Sequence, residues 1–232
     1  MNRIEVYIWD IEDMDLLCVS PQSMKTLLPE NSRFLKSVIP VAGAKFQSCA
    51  GEMLAVYGAR DFLQKPDFTF KIAYRQKGKP YMPQHDNIHF NISHSGKYVA
   101  CAVGNMELGI DIEHRRKVNL NIAKRYFAKT EYADLLKLPE QERSEYFLQL
   151  WTVKESYLKA TGTGIADNLS KFTASKQGGV FVFKENESAM QYNVKLIDID
   201  SQYFGAVTAC GNFEVSLNYV SGDEVFRGIV NI

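Results

Sequence analysis

The chain has 232 residues, 46% apolar and 23% charged, enough for one large domain or two small ones. Lys and Arg number 27 and Asp and Glu 27, so no net charge marks it as a nucleic-acid binder and any anion must be held by a local cluster. No apolar run is long enough to span a bilayer, and Glu5, Asp10, Glu12 and Asp13 break the N-terminal one; no signal peptide, membrane or nucleic-acid partner is expected, and the expected compartment is cytoplasmic.

Residues 4–9 alternate and predict a strand, and residues 20–27 a helix. A second helix is expected over 45–58, with Gly58 as its cap. A short strand at 72–74 precedes the Gly78-Lys79-Pro80 turn. Strands follow at 88–92 and 98–103, with a Ser93-His94-Ser95-Gly96 turn between them. Gly104-Asn105 turns the chain into a strand at 108–113, which reads as the other arm of a hairpin. Helices are expected at 122–127, 130–136 and 139–161, the last opened by Pro139 and closed by Gly162. From Phe172 onward the pattern is mostly strands, with Gly178-Gly179 as a turn. The cysteines Cys18, Cys49, Cys101 and Cys210 form no C-x-x-C pair, and three of them read as reduced core residues.

A weak internal repeat links Glu52 to Glu155 and Tyr98 to Tyr203, offsets of 103 and 105 in the same order. It predicts two related halves, 1–104 and 105–232, with a ligand site favoured at their interface.

Two acidic stretches carry most of the chemistry. In Gly109-Ile110-Asp111-Ile112-Glu113 the strand period puts both carboxylates on one face, although alone they could simply bond the bases at 114–117. In the second, Trp151, Glu155 and Lys159 share one helical stripe, and Glu155 needs a partner if the stripe is partly buried. Three carboxylates and a lysine suit a hard divalent cation with a phosphate, because magnesium fills its remaining sites with water and phosphate oxygens. Ser93, His94 and Ser95 on a turn, with Lys97 nearby and Lys79 on a rigid turn, could cradle a phosphate.

The order Gly-Lys-Pro at 78–80, Asn-x-Ser-His-Ser at 91–95, Gly-Ile-Asp-Ile-Glu at 109–113 and Trp-Thr-x-Lys-Glu-Ser-x-x-Lys at 151–159 resembles the surfactin-synthetase-type (Sfp-type) 4′-phosphopantetheinyl transferases. The resemblance runs from about 51 to 164, including the linking segment 122–132. It implies an α+β fold of two similar α/β halves related by pseudo-twofold symmetry, in one monomer, with coenzyme A in the cleft between them. By similarity, Asp111, Glu113 and Glu155 hold Mg²⁺, with Mn²⁺ as an alternative, and Asp111 and Lys159 meet the coenzyme A diphosphate. Ser93 and His94 meet its phosphates, the 3′-phosphate first; Gly78, Lys79 and Pro80 line the adenine and 3′-phosphate end, where Lys45 adds charge. The reaction implied is attack by a serine hydroxyl of an apo acyl or peptidyl carrier protein on the β-phosphate, releasing adenosine 3′,5′-bisphosphate. Glu155, Lys154 or a water on the metal would take the serine proton, and the residues do not choose among them. A binding module that had lost the chemistry would lack one of the acids, and all three are present. The carrier, acidic around its serine, is expected on residues 115–129. That segment offers Arg115, Arg116, Lys117, Lys124, Arg125 and Lys129, with Val118, Leu120, Ile122 and Phe127 for apolar contact.

Overall fold

A computed structural model describes residues 2–12, 25–35, 43–164, 169–185 and 188–230. Most of the helix expected over 20–27, and Cys18, lie outside these residues. The chain divides into two compact units: 1–107 with 213–232, and 108–212. The division falls close to the expected boundary at 104, but the final strand and helix, expected in the second half, return to the first unit. Among the described residues no helix is long and apolar enough to cross a membrane.

The first unit is built on a four-stranded sheet in the order β11-β1-β5-β4. Its strands are β1 (Arg3–Asp10), β4 (His89–Ser95), β5 (Tyr98–Gly104) and β11 (Glu214–Val220). β11 runs parallel to β1, and the other pairs are antiparallel. Helix α1 (Ala44–Leu63) packs on β5, β4 and β1. On the β5 face towards α1, Val99, Cys101 and Val103 join Cys49 and Met53 in one apolar core; Cys49 and Cys101 are buried as expected, whereas Cys210 of the second unit is exposed. A two-stranded hairpin, β2 (Ala73–Tyr74) with β3 (Pro80–Tyr81), carries the Gly78-Lys79-Pro80 turn, with Gly78 at φ +88°. Gly58 does not cap α1. It lies inside the helix, where an added Cβ would stand 2.8 Å from the Tyr7 ring, and the helix ends on left-handed Gln64.

The second unit is a five-stranded antiparallel sheet in the order β6-β10-β9-β8-β7. Its strands are β6 (Leu108–His114), β7 (Thr173–Gln177), β8 (Val180–Glu185), β9 (Ser188–Ile197) and β10 (Tyr203–Cys210). Its helices are α2 (Asn121–Tyr126), α3 (Lys129–Lys137) and α4 (Glu140–Thr161). α4 follows Pro139, carries Glu140 and Glu142 in its first turn and closes on Gly162 at φ +68°. The tail also forms a helix that the strand pattern did not predict, α5 (Gly222–Val230).

The expected hairpin of 98–103 with 108–113 does not form. β5 is already paired on both edges, by β1 and β4, and β6 pairs with β10 instead. Each unit therefore contains the same motif: a strand, then a helix, then a hairpin whose second strand pairs with the first. In sheet order these are β1-β5-β4 and β6-β10-β9, with α1 and α4 as the helices. This recurrence underlies the offsets of about one hundred residues in the sequence.

Candidate active site

The acidic residues lie on two packed elements of the second unit. Along β6 the pleat puts Asp111 and Glu113 on one face, while Ile110 and Ile112 fill the core on the other. Gly109 explains how close α4 comes. A Cβ there would stand 2.2 Å from the Ala160 nitrogen and from the Ser156 carbonyl oxygen, so only glycine lets the strand lie on the helix backbone. Ser156 Oγ then bonds Thr208 Oγ1 at 2.7 Å, tying α4 to β10 as well.

This contact brings Lys159 Nζ to 2.7 Å from Asp111 Oδ1, so the lysine bonds the strand. Glu155 is buried, and its Oε1 has no hydrogen-bond partner among the described residues. Burial pushes its carboxyl up to about 8; Asp111 and Glu113 add to the rise, and Lys159 opposes it. Glu113, on the rim, accepts a 2.7 Å bond from Arg116 Nη1. Among the described residues no three His, Cys, Asp or Glu side chains already stand as a ready ion cage. The donors still fit a hard cation: one carboxylate oxygen is buried without a partner, and two neighbouring carboxylates raise its pKa.

In the first unit, Ser93 and His94 stand in the β4–β5 ladder opposite Ala100 and Val99, because β4 runs to Ser95 where a turn was expected. His94 Nε2 lies 3.2 Å from Ser48 Oγ of α1. Ser48 Oγ also lies 2.9 Å from the Ala44 carbonyl, within donating distance. Lys45 is exposed in the first turn of α1. The Lys79 side chain is 7% exposed, and its Nζ donates to Glu107 Oε2 at 2.7 Å.

Comparison with known proteins bears directly on this arrangement. A family model described as the 4′-phosphopantetheinyl transferase superfamily matches residues 107–207, a span holding all three acids and Lys159. 4′-Phosphopantetheinyl transferase Sfp of Bacillus subtilis (strain 168) is 34% identical over 210 residues, 84% of this chain and 93% of that protein. The chain belongs to the 4′-phosphopantetheinyl transferase superfamily. 4′-Phosphopantetheinyl transferase HetI of a Nostoc species is 32% identical over 170 residues, 70% of each chain. The solved holo-[acyl-carrier-protein] synthase of Thermotoga maritima is 20% identical, with a TM-score of 0.39 over 46% of this chain and 64% of that one.

The transferase departs from the sequence reading at Lys154. Its Nζ is fully buried and donates to both Glu131 oxygens, at 2.8 and 2.6 Å, and to the Phe172 carbonyl at 2.7 Å. Three bonds use all the donors of an ammonium, so Lys154 cannot also take the serine proton. Glu131 in turn accepts from the backbone N–H groups of Ala128 and Ala174. The pair fastens α3 and β7 to the helix that carries Glu155, and removing one partner of such a pair costs roughly 3–5 kcal/mol. The sequence offered one cue for it, Glu131 three residues after Ala128, at the spacing of a helix-capping glutamate. Phe127 also departs from expectation: it stacks on Phe147 in the core, whereas Ile122 remains exposed.

Proposed function

We propose that this transferase moves 4′-phosphopantetheine from coenzyme A to a serine of an apo carrier protein, releasing adenosine 3′,5′-bisphosphate, with Mg²⁺ or Mn²⁺ required. The observation that carries the reading is Glu155, buried with an unpartnered oxygen beside Asp111 and Lys159. Asp111, Glu113 and Glu155 would hold the cation, which when bound supplies charge neutralisation for the diphosphate. Lys159, already against Asp111, adds a positive charge where the 5′-phosphate of the departing adenosine 3′,5′-bisphosphate gains a negative one. Its bond to Asp111 also holds that carboxylate on the face shared with Glu113. Glu155 or a water on the cation would take the serine proton, since Lys154 has all its donors engaged by Glu131 and Phe172. Ser93, His94, Lys45 and the 78–80 turn would contact the phosphates and adenine of coenzyme A.

The carrier would dock on 115–129, beside an open groove of about 650 Å³ lined by Arg115, Arg116, Lys117, Ser144, Glu145 and Leu148. Exposed Lys117, Lys124, Arg125 and Lys129 give that face positive charge, and exposed Ile122 gives it an apolar contact. The protein is expected to work as a monomer, checked by sedimentation of the active species.

The test is mass spectrometry of several apo carriers incubated with the protein, coenzyme A and Mg²⁺, with and without chelator. A phosphopantetheine mass on a carrier serine, lost in chelator, is expected; full turnover in chelator would overturn the metal assignment. The same assay with Lys117 and Lys124 reversed to glutamate reports on docking through a raised apparent KM for the carrier, with coenzyme A affinity unchanged. Arg116 is left intact there because it bonds Glu113.

A further inference from the structure

We propose that Glu107 sets the affinity of this transferase for the 3′-phosphate of coenzyme A, by occupying the place among Arg75, Lys79 and His89 that the phosphate must take. The inference rests on the reading that Lys79 meets that phosphate. Three basic side chains from two elements converge on this one carboxylate. Lys79 Nζ lies 2.7 Å from Glu107 Oε2, Arg75 Nη2 bonds Oε1, and His89 Nδ1 stands 3.8 Å from Oε1. Arg75 and Lys79 come from the β2–β3 hairpin and His89 opens β4. Together they border a cavity of about 50 Å³ that Tyr81, His85 and Phe90 also line.

Glu107 could act here by holding the hairpin in shape or by competing with an incoming anion. The hairpin does not need it for shape. Arg75 N–H donates to the Lys79 carbonyl at 2.8 Å and Gly78 N–H to the Arg75 carbonyl at 2.7 Å. Tyr74 is anchored separately, its hydroxyl donating to buried Glu52 at 2.7 Å. What Glu107 changes is charge. An entering phosphate finds the lysine and arginine donors engaged and a negative charge between them. The Glu107 side chain is 39% exposed against 7% for Lys79, so the acid can swing away while the lysine stays. Burial pushes Glu107 up, but Lys79, Arg75 and His89 outweigh it and hold the carboxyl below its usual range, so it stays charged at neutral pH. Coenzyme A must therefore displace an ion pair, and its net affinity is what remains after that exchange.

The experiment is calorimetric titration of the full chain with coenzyme A and with 3′-dephospho-coenzyme A, using the wild type, Glu107→Gln, Glu107→Ser and Lys79→Met. Both Glu107 variants should bind coenzyme A about tenfold more tightly, a change of about 1.4 kcal/mol, and 3′-dephospho-coenzyme A about as the wild type does. The gain should shrink at high salt, since the acid is partly exposed. If Lys79→Met removes the preference for coenzyme A but neither Glu107 variant increases it, the competition idea fails and the phosphate reading stands. If Lys79→Met leaves the preference intact, the phosphate reading falls and takes this inference with it.

Discussion

Glu155 is a carboxyl group held where its charge is least welcome, and this has a consequence for stability. Its ordinary pKa is 4.5, and in the folded protein burial, Asp111 and Glu113 push it up to about 8. Between those values the folded state binds a proton that the unfolded state has released. The group's contribution is therefore fully present below about 4.5 and is lost as pH rises towards 8. In chelator, the wild type should lose stability across this window. Glu155→Gln keeps the shape and removes the titration, so its curve should be flatter, with a melting temperature a few degrees higher, roughly 2–4 °C, at the alkaline end. Mg²⁺ should then stabilise the wild type and leave the variant unmoved. Calorimetric unfolding across pH, with and without Mg²⁺, checks this; parallel curves for the two proteins would refute it.

At the level of elements, the sequence carried what is set locally. Helix α4 was legible because Pro139 and Gly162 bracket an unbroken helical run, and β6 because Ile110 and Ile112 alternate with Asp111 and Glu113. Pairing was not legible. Nothing within 98–113 says that β5 already has two partners, so β6 looked like the arm of a local hairpin. Lys154 misled for a related reason: its partner, Glu131, lies on another helix, and only packing brings them together. The roles of Gly58 and Gly109 were hidden too, since a glycine read from sequence suggests a turn or cap, whereas both serve close approach between elements. Gly109 gives the sharpest test. In Gly109→Ala the new methyl meets helix backbone, which cannot swing aside as a flexible side-chain tip would. The cost should reach or exceed the upper end of ordinary overpacking, about 3 kcal/mol. Urea unfolding measures it, and the Mg²⁺-dependent stabilisation should fall with it, since Asp111 moves off the helix. A variant with the wild-type midpoint would show that the strand can retreat freely.

At the scale of the whole molecule, the first unit is discontinuous. The chain leaves it after Glu107, forms the second unit, and returns at Phe213. The returning segment is integral to the first unit: β11 lies parallel to β1 from Arg3↔Glu214 to Trp9↔Val220. Helix α5 then packs on α1, where Arg60 bonds the carbonyls of Gly228 and Ile229, and Gly228 leaves room for the Tyr57 ring. Val225 and Ile229 enter the same apolar core as Trp9, whose ring meets Phe226 edge-on at 6.3 Å. The second unit has its own core, centred on Phe147, Val153, Tyr157 and Phe183, whose members among the described residues all lie within 118–206. Ending the chain after Asn212 should therefore loosen one unit and spare the other. Hydrogen exchange read by mass spectrometry should speed up at least about tenfold in β1 and α1, a loss of about 1.4 kcal/mol or more of local stability. Peptides from α4, β9 and β10 should keep their protection. The bared edge of β1 should also make the truncated chain prone to associate through strand pairing. Equal loss of protection in both units would mean that they unfold as one cooperative body, and no change in β1 would mean that β11 and α5 are dispensable to the first unit.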